Sequence, residues 1–468
     1  MRDTARGRWI FGGLILLCAL LSAGCSLIEE WLTGDEWRSP RVVKVTGVKK
    51  LCPYPPSWCI TPREGRPAGV LARDGDLFSA SKEKEGVPFL YRETDGESLV
   101  LDIRGDMVFL NGKAVTIQLS DSTGWEWLRK ASVEDLASLR LLFINVKTET
   151  LDFSLLEKVA RVRPNVGLFL DRVGQSKSTD LVVRLVTLFE PRFLFINLDV
   201  LSAQFDALEP RLAKLETLWI HGEGSLDFLP RLPRLRTLLL NNWVRAGSGE
   251  IPAGSRTLRS LTIMKGEKKV EDLSFLRNVT GLRELVLWRF DDLKDITALA
   301  AFPDLKKLDI FFVKKENISD LSVLERLPKL AWLKFPWNTT QKTFAKVIAS
   351  HPDLEIIALG SEHIRDLSPL QSLRHPRAAI LLFLKEDVDL APLHELKSLE
   401  YLGLNEKAFK GQAAKKTEAL EKALPDTFVA QVQPFCLGSG WILLLLPAIV
   451  LFRRLWPRGQ GLRVKAHA

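Results

Sequence analysis

What constrains this chain most is a spaced trio of aliphatics, Leu-x-x-Leu-x-Leu, that returns every 20 to 26 residues. The second apolar position of each motif reads Leu142, Leu168, Leu194, Leu218, Leu238, Leu261, Leu285, Leu308, Leu333, Ile357, Leu381 and Leu402. Two residues further on stand Ile144, Leu170, Ile196, Ile220, Leu240, Ile263, Leu287, Ile310, Phe335, Leu359, Phe383 and Leu404. A two-residue alternation puts both positions on one face of a short strand. A unit this short cannot bury its own apolar face, so successive units must stack and cover one another. The spacing predicts about 12 parallel strands in one α/β solenoid between Leu139 and Val429.

Between the strands recur Asp272-Leu273-Ser274-Phe275-Leu276, Asp295-Ile296-Thr297-Ala298-Leu299, Asp320-Leu321-Ser322-Val323-Leu324, Asp366-Leu367-Ser368-Pro369-Leu370 and Asp389-Leu390-Ala391-Pro392-Leu393. Each aspartate is placed to start a short convex-side turn whose apolar residues point back to the core. With the strand trios, these segments resemble the internalin-type short repeats of bacterial leucine-rich repeat proteins. That resemblance implies a curved, cell-surface-type solenoid with strands on its concave side. The chain departs from the pattern in its loops. An asparagine follows the last strand leucine by three residues at Asn338, but Trp243, Gly266, Phe290, Val313 and Glu362 stand elsewhere. Since that asparagine normally satisfies loop backbone, irregular loops are expected.

Both ends read as membrane signals. Trp9 to Leu21 is a short uncharged run behind Arg2, Arg6 and Arg8, of signal-peptide length. It ends in Leu21-Ser22-Ala23-Gly24-Cys25, which resembles a bacterial lipobox and implies lipidation of Cys25; Ser22 departs from the usual branched aliphatic. Phe435 to Phe452 is uncharged and, as a helix, would span about 27 Å, enough for a hydrocarbon core. Arg453 and Arg454 follow at once, and the tail resembles a sorting tail as well as a membrane helix. Most of the net charge of +9 lies in these two termini, with Arg458, Arg463 and Lys465 completing the C-terminal group. A phosphate-binding surface would carry its excess on the folded body, so no nucleic-acid partner is expected. The basic ends mark a cytoplasmic side, with the body in the periplasm, or at the cell surface if the tail is processed.

Cys52 and Cys59 are expected to bridge in such a compartment, with zinc as the weaker reading. The expected domains are a signal peptide (1–24), a tether with a stapled loop (25–60) and a β-rich cap over the first repeat (61–138). The leucine-rich repeat domain with its C-terminal cap (139–432), a transmembrane helix (433–454) and a basic cytoplasmic tail (455–468) follow. Within the cap, Asn111-Gly112 between apolar runs signals a tight hairpin, and Ser132-Val133-Glu134-Asp135 a helix start.

No H-E-x-x-H, G-x-S-x-G, P-loop or C-x-x-C motif is present, so neither catalysis nor a cofactor or metal is expected. Of the six histidines, the four in the later repeats, His351, His363, His375 and His394, read as solvated loop or convex-side residues. The outward strand positions carry an aromatic column, Phe143, Phe169, Phe195 and Trp219, beside a polar one of Asn145, Asp171, Asn197, His221 and Asn241. Contiguous exposed aromatics mark interaction sites. Phe195, Trp219, His221, Asn241, Trp288, Phe311, Trp332 and Trp337 are therefore candidate contacts for a protein partner, the alternative being that the cap module folds over them. The expected function is a non-catalytic, membrane-anchored envelope protein binding a macromolecule through its concave face. Two other readings are a structural scaffold of a membrane assembly and an immunity or inhibitor protein against an envelope-acting toxin.

Overall fold

The computed structural model describes residues 38–434, less 55–57, 82–85, 106, 120–121, 146–150, 172–178, 246–249, 254, 256, 265–269, 291, 312–317, 319, 362, 383–384 and 386. The expected signal peptide, Cys25, the apolar run from 435 and the basic tail all lie outside the described residues. From Val42 onward the chain forms one compact unit.

The core of the molecule is a parallel ladder. It starts with β10 (Leu141–Asn145), β11 (Gly167–Asp171), β12 (Phe193–Asn197) and β13 (Thr217–Gly224). It continues through β14 (Thr237–Arg245), β15 (Ser260–Met264), β16 (Glu284–Trp288), β17 (Lys307–Phe311) and β18 (Trp332–Phe335). It ends with β19 (Ile356–Leu359), β20 (Ala378–Leu381), β21 (Tyr401–Asn405) and β22 (Phe428–Pro434). Each strand pairs in parallel with the next. The motif aliphatics face inward as one continuous buried seam. Geometry and register together define a leucine-rich repeat solenoid.

One repeat sits two residues away from its expected register. Ile357 pairs with Ala379, and Leu359 with Leu381, so Ala379 and Leu381 are the inward pair of β20 rather than Leu381 and Phe383. A slip of two leaves the same face inward, and the run Ala378 to Phe383 is apolar at every position, so alternation alone could not fix it.

On the convex side the early repeats use helices, Phe153–Val162, Thr179–Phe189 and Leu198–Leu208. Most later ones use single 3₁₀ turns, each started by its aspartate. Asp272, Asp295, Asp320, Asp366 and Asp389 each accept a backbone N–H from two residues on, at 2.7–2.9 Å. Such side-chain acceptors satisfy an N–H that a short turn leaves unpaired. Asn338 donates to the Ile318 carbonyl of the preceding repeat at 2.7 Å, as its position predicts. A helix at Gly411–Ala423 covers the C-terminal end before β22.

The N-terminal module departs from the expected boundaries. Residues 41–60 are not a tether: they carry β1 (Arg41–Thr46), β2 (Lys50–Pro53) and β3 (Trp58–Ile60). β4 (Ala68–Ala72), β5 (Leu77–Ser81), β6 (Val87–Leu90), β7 (Ser98–Arg104), β8 (Met107–Leu110) and β9 (Lys113–Leu119) follow. The β8–β9 turn has Asn111 at φ 50 and Gly112 at φ 81, the left-handed pair that a two-residue hairpin requires. β9 pairs in parallel with β10, so β7 to β9 cap the first repeat. β2, β3, β5 and β6 do something else. β3 pairs antiparallel with β22 at the opposite end of the ladder, and β2, β5 and β6 extend from it. The module thus runs from the last repeat back to the first across the concave side.

Candidate functional site

Strand register places Phe143, Phe169, Phe195 and Trp219 in one concave column. The phenylalanine rings stack nearly parallel, 4.4 and 3.9 Å apart, and Trp219 meets Phe195 edge-on at 4.8 Å. The column continues through Leu239, Thr262, Val286, Asp309 and Lys334.

This face is not open. The Tyr54 ring lies 4.3 Å from Trp219 and packs against Met264 and Trp288. Leu77 and Leu90 join Phe169, Phe193, Phe195 and Trp219 in one cluster. Trp58 stacks on Trp332 at 6.2 Å. Phe195, Trp219, Trp288 and Trp332 are consequently buried, at 3–8 % exposure. The expectation that they form an exposed contact surface is overturned by the chain's own module, whose rings take the place assigned to a partner. His221 and Asn241 are half-buried in the neighbouring column, and Trp337 is half-buried just beyond β18. Phe311 pairs in register with Trp288; its side chain lies outside the described set.

Several polar contacts fasten the module. Arg140 of the first repeat forks onto both carboxylate oxygens of Asp95, at 2.6 and 2.5 Å, and also donates to the Leu90 carbonyl. Arg73 forks onto Glu284 in mid-ladder at 2.7 and 3.0 Å. Arg63 donates to Glu421 and the Val429 carbonyl at the far end, its guanidinium 4.8 Å over the Phe409 ring. Tyr401 donates to the Gly69 carbonyl, and the Gly69 Cα lies against the Phe428 ring so closely that a Cβ would fall 2.1 Å from it. Cys52 and Cys59 are bonded, with Cα atoms 4.3 Å apart, which closes the β2–β3 hairpin that carries Tyr54 and Trp58.

Beneath the module lies a group of buried charges. Lys334 and Asp309, both on the ladder, are 3.4 Å apart and 0 % and 4 % exposed. Trp58 covers Lys334, whose ammonium lies 5.3 Å from the ring centroid, while Lys307 lies 4.2 Å from the centroid of Trp332. Burial pulls the Lys334 ammonium down to about 8, with Asp309 partly opposing the shift. Burial likewise lowers Lys307 and raises Asp76. Burial alone would raise Glu284, but the charges and hydrogen bond of Arg73, with Lys307, draw it to about 2. The group is charge-paired but desolvated, an arrangement that fixes geometry more than it adds stability.

Sequence reasoning missed Tyr54 and Trp58 as the rings that meet Trp219 and Trp332, and Arg73 and Asp95 as the module's ion-pair partners for Glu284 and Arg140. The usable signal was the cysteine pair itself, because a staple around Tyr54 and Trp58 rigidifies a hairpin whose aromatics need a buried destination. One histidine also differs from its expected solvated place. His351 is buried, its ring nitrogens 2.9 and 2.8 Å from the Val347 and Leu327 carbonyls. Among the described residues no cluster of three His, Cys, Asp or Glu could hold a metal ion, and no helix is long and apolar enough to cross a membrane.

No protein-family model matches this chain, and no curated protein matches it. Among solved structures it is similar to an internalin, inlF, of Listeria monocytogenes, with 18 % identity over 66 % of this chain and 93 % of that one, at a TM-score of 0.40. Internalin C2 of the same organism shows 20 % identity over 42 % of this chain and 74 % of its own, at 0.27. A leucine-rich repeat protein of Leptospira interrogans shows 11 % identity over 63 % and 90 %, at 0.27.

Proposed function

We propose that this protein is a non-catalytic scaffold of the bacterial envelope, a rigid leucine-rich repeat body held at a membrane by a lipidated Cys25 and an apolar C-terminal segment. The observation that supports a scaffold over a concave-face receptor is the module itself. Tyr54, Trp58, Leu77 and Leu90 occupy the aromatic column from within, leaving the convex and lateral surfaces to face other molecules. Ion pairs between neighbouring repeats, such as Arg374–Asp353 and Lys329–Asp304, line those surfaces. Individually such exposed pairs contribute little.

Two measurements test this reading. Intact mass of the membrane-extracted protein reports the ends: the proposal expects a diacylglycerol-bearing Cys25 as the new N-terminus and retention of the C-terminal run. A photo-crosslinking residue placed at Asp206, Asp353 or Asp387, all exposed side chains, is expected to capture other envelope proteins. The same residue at position 219 is expected to yield only intrachain products. Intermolecular capture at 219 with none from the exposed positions would return the function to the concave face.

A further inference from the structure

The module's contact with the ladder differs from ordinary core in what it leaves unmatched. The indole N–H groups of Trp219 and Trp332 are buried beneath it with no hydrogen-bond partner. Lys334 pairs with Asp309 of the adjacent strand, and the Trp58 ring face covers its ammonium. Docking therefore removes water from these two indoles and gives their N–H groups no hydrogen bond in return, although a permanent core normally satisfies them. Glu284 is matched, but by a single residue of the module, Arg73.

The module also has its own internal order. β3, β2, β5 and β6 form an antiparallel sheet closed by the Cys52–Cys59 bond, with Phe78 and Phe89 stacked at 5.7 Å. Its connections to the capping strands are short. Gly47, at φ +83, turns the chain from β1 into β2, and Gly96, at φ +85, lies between β6 and β7. Among the described residues, strand pairing to the remainder lies at its margins, β3 on β22 and β4 with β1. Across the middle of the concave face, the contacts among the described residues are side-chain contacts.

We infer that residues 48–95 act as a strap that opens as a unit while the ladder and its β7–β9 cap stay folded. Opening uncovers Phe195, Trp219 and Trp332 together with the Asp309–Lys334 pair, a strip of aromatic and charged groups kept out of water in the closed form. This goes beyond the scaffold reading, because it makes the closed ring one of two states.

Hydrogen exchange followed by mass spectrometry on the intact chain, in denaturant well below the unfolding midpoint, tests it. Amides of β2, β3, β5 and β6 are expected to exchange together and faster than those of β13 to β17, with β8 and β9 following the ladder. Arg73→Ala removes the module's fork onto Glu284, leaving only the ladder's own Ser260 and Lys307 beside it. It is expected to speed strap exchange by roughly 30-fold or more while leaving the ladder unchanged, since truncating one partner of a buried charge pair commonly costs more than a decade in an equilibrium constant. Strap amides that exchange only with global unfolding, or an Arg73→Ala variant that accelerates strap and ladder alike, would overturn the inference. The wild-type comparison decides the matter even if the variant fails to fold.

Discussion

Replacing Lys334 by methionine tests the buried charge pair most directly. Lys334 is 0 % exposed and its partner Asp309 4 %, so the variant leaves a carboxylate under Trp58 without its cation. Breaking a buried pair commonly costs about 3–5 kcal/mol, but here burial outweighs the pairing and already disfavours the ammonium, so the single variant is expected to cost less than that range. The double variant Lys334→Met with Asp309→Val continues the apolar column from Val286 and is expected to be neutral, or to stabilise by about 1–4 kcal/mol. The pH dependence has a definite sign. The folded-state Lys334 is held down to about 8 from its ordinary 10.5, chiefly by burial. Above about 8 the folded chain releases this proton while the unfolded chain keeps it, so the unfolded state binds more protons and stability rises with pH. The gain is absent below about 8 and complete above about 10.5, reaching roughly 2 kcal/mol near pH 9.5. Guanidinium unfolding of wild type and both variants between pH 7 and 9.5 measures each term, and subtracting variant from wild type removes the contributions of other groups. A Lys334→Met variant that keeps the full wild-type rise of stability between about pH 8 and 9.5 would refute a desolvated Lys334.

Two further substitutions probe how the module is held. Cys52→Ser with Cys59→Ser is expected to lower stability by about 2.5 kcal/mol through the freed hairpin entropy, and thermal denaturation followed by tryptophan fluorescence reads it. Gly69→Ala puts a methyl against the Phe428 ring and is expected to cost about 1–3 kcal/mol, most of it recovered when Phe428→Leu makes room in urea titrations of the double variant.

The ladder was legible because its signal is local and repeated. Each inward position from Leu142 to Leu402 is reported by neighbours two residues away and by copies in adjoining repeats, and the aspartate turns carry their own chemistry. The single misplacement, at Ala379, fell where local sequence was uniformly apolar. The concave face was harder. Phe143, Phe169, Phe195 and Trp219 were correctly placed in one column, but alternation reports only that they point away from the solenoid core. Whether water or protein lies beyond is a long-range fact. It depends on Arg73 meeting Glu284 across 211 positions and Arg63 meeting Glu421 across 358, for which no short-range pattern exists. Residues 50–60 looked like a tether because their three prolines and two cysteines resemble linker composition.

Ring closure also alters what the ends of the solenoid can do. A ladder of parallel strands ends in two unpaired edges, each a template for another chain. Here β8 covers one through β9, and β3 covers the other by pairing Val432 with Ile60 and Pro434 with Trp58. One module of the chain therefore supplies both caps, which a solenoid usually obtains from separate terminal repeats. Deleting residues 38–60 removes β1, β2 and β3 together, uncovers the β22 edge and strips the rings from Trp219 and Trp332. The truncated chain is expected to retain the ladder by circular dichroism yet associate in a concentration-dependent way in size-exclusion light scattering, while the intact body stays monomeric at the same concentrations. A truncated chain that stays monomeric and folded throughout would show that the β22 edge needs no cover, and that the pairing with β3 serves the docking of the module rather than the protection of the end.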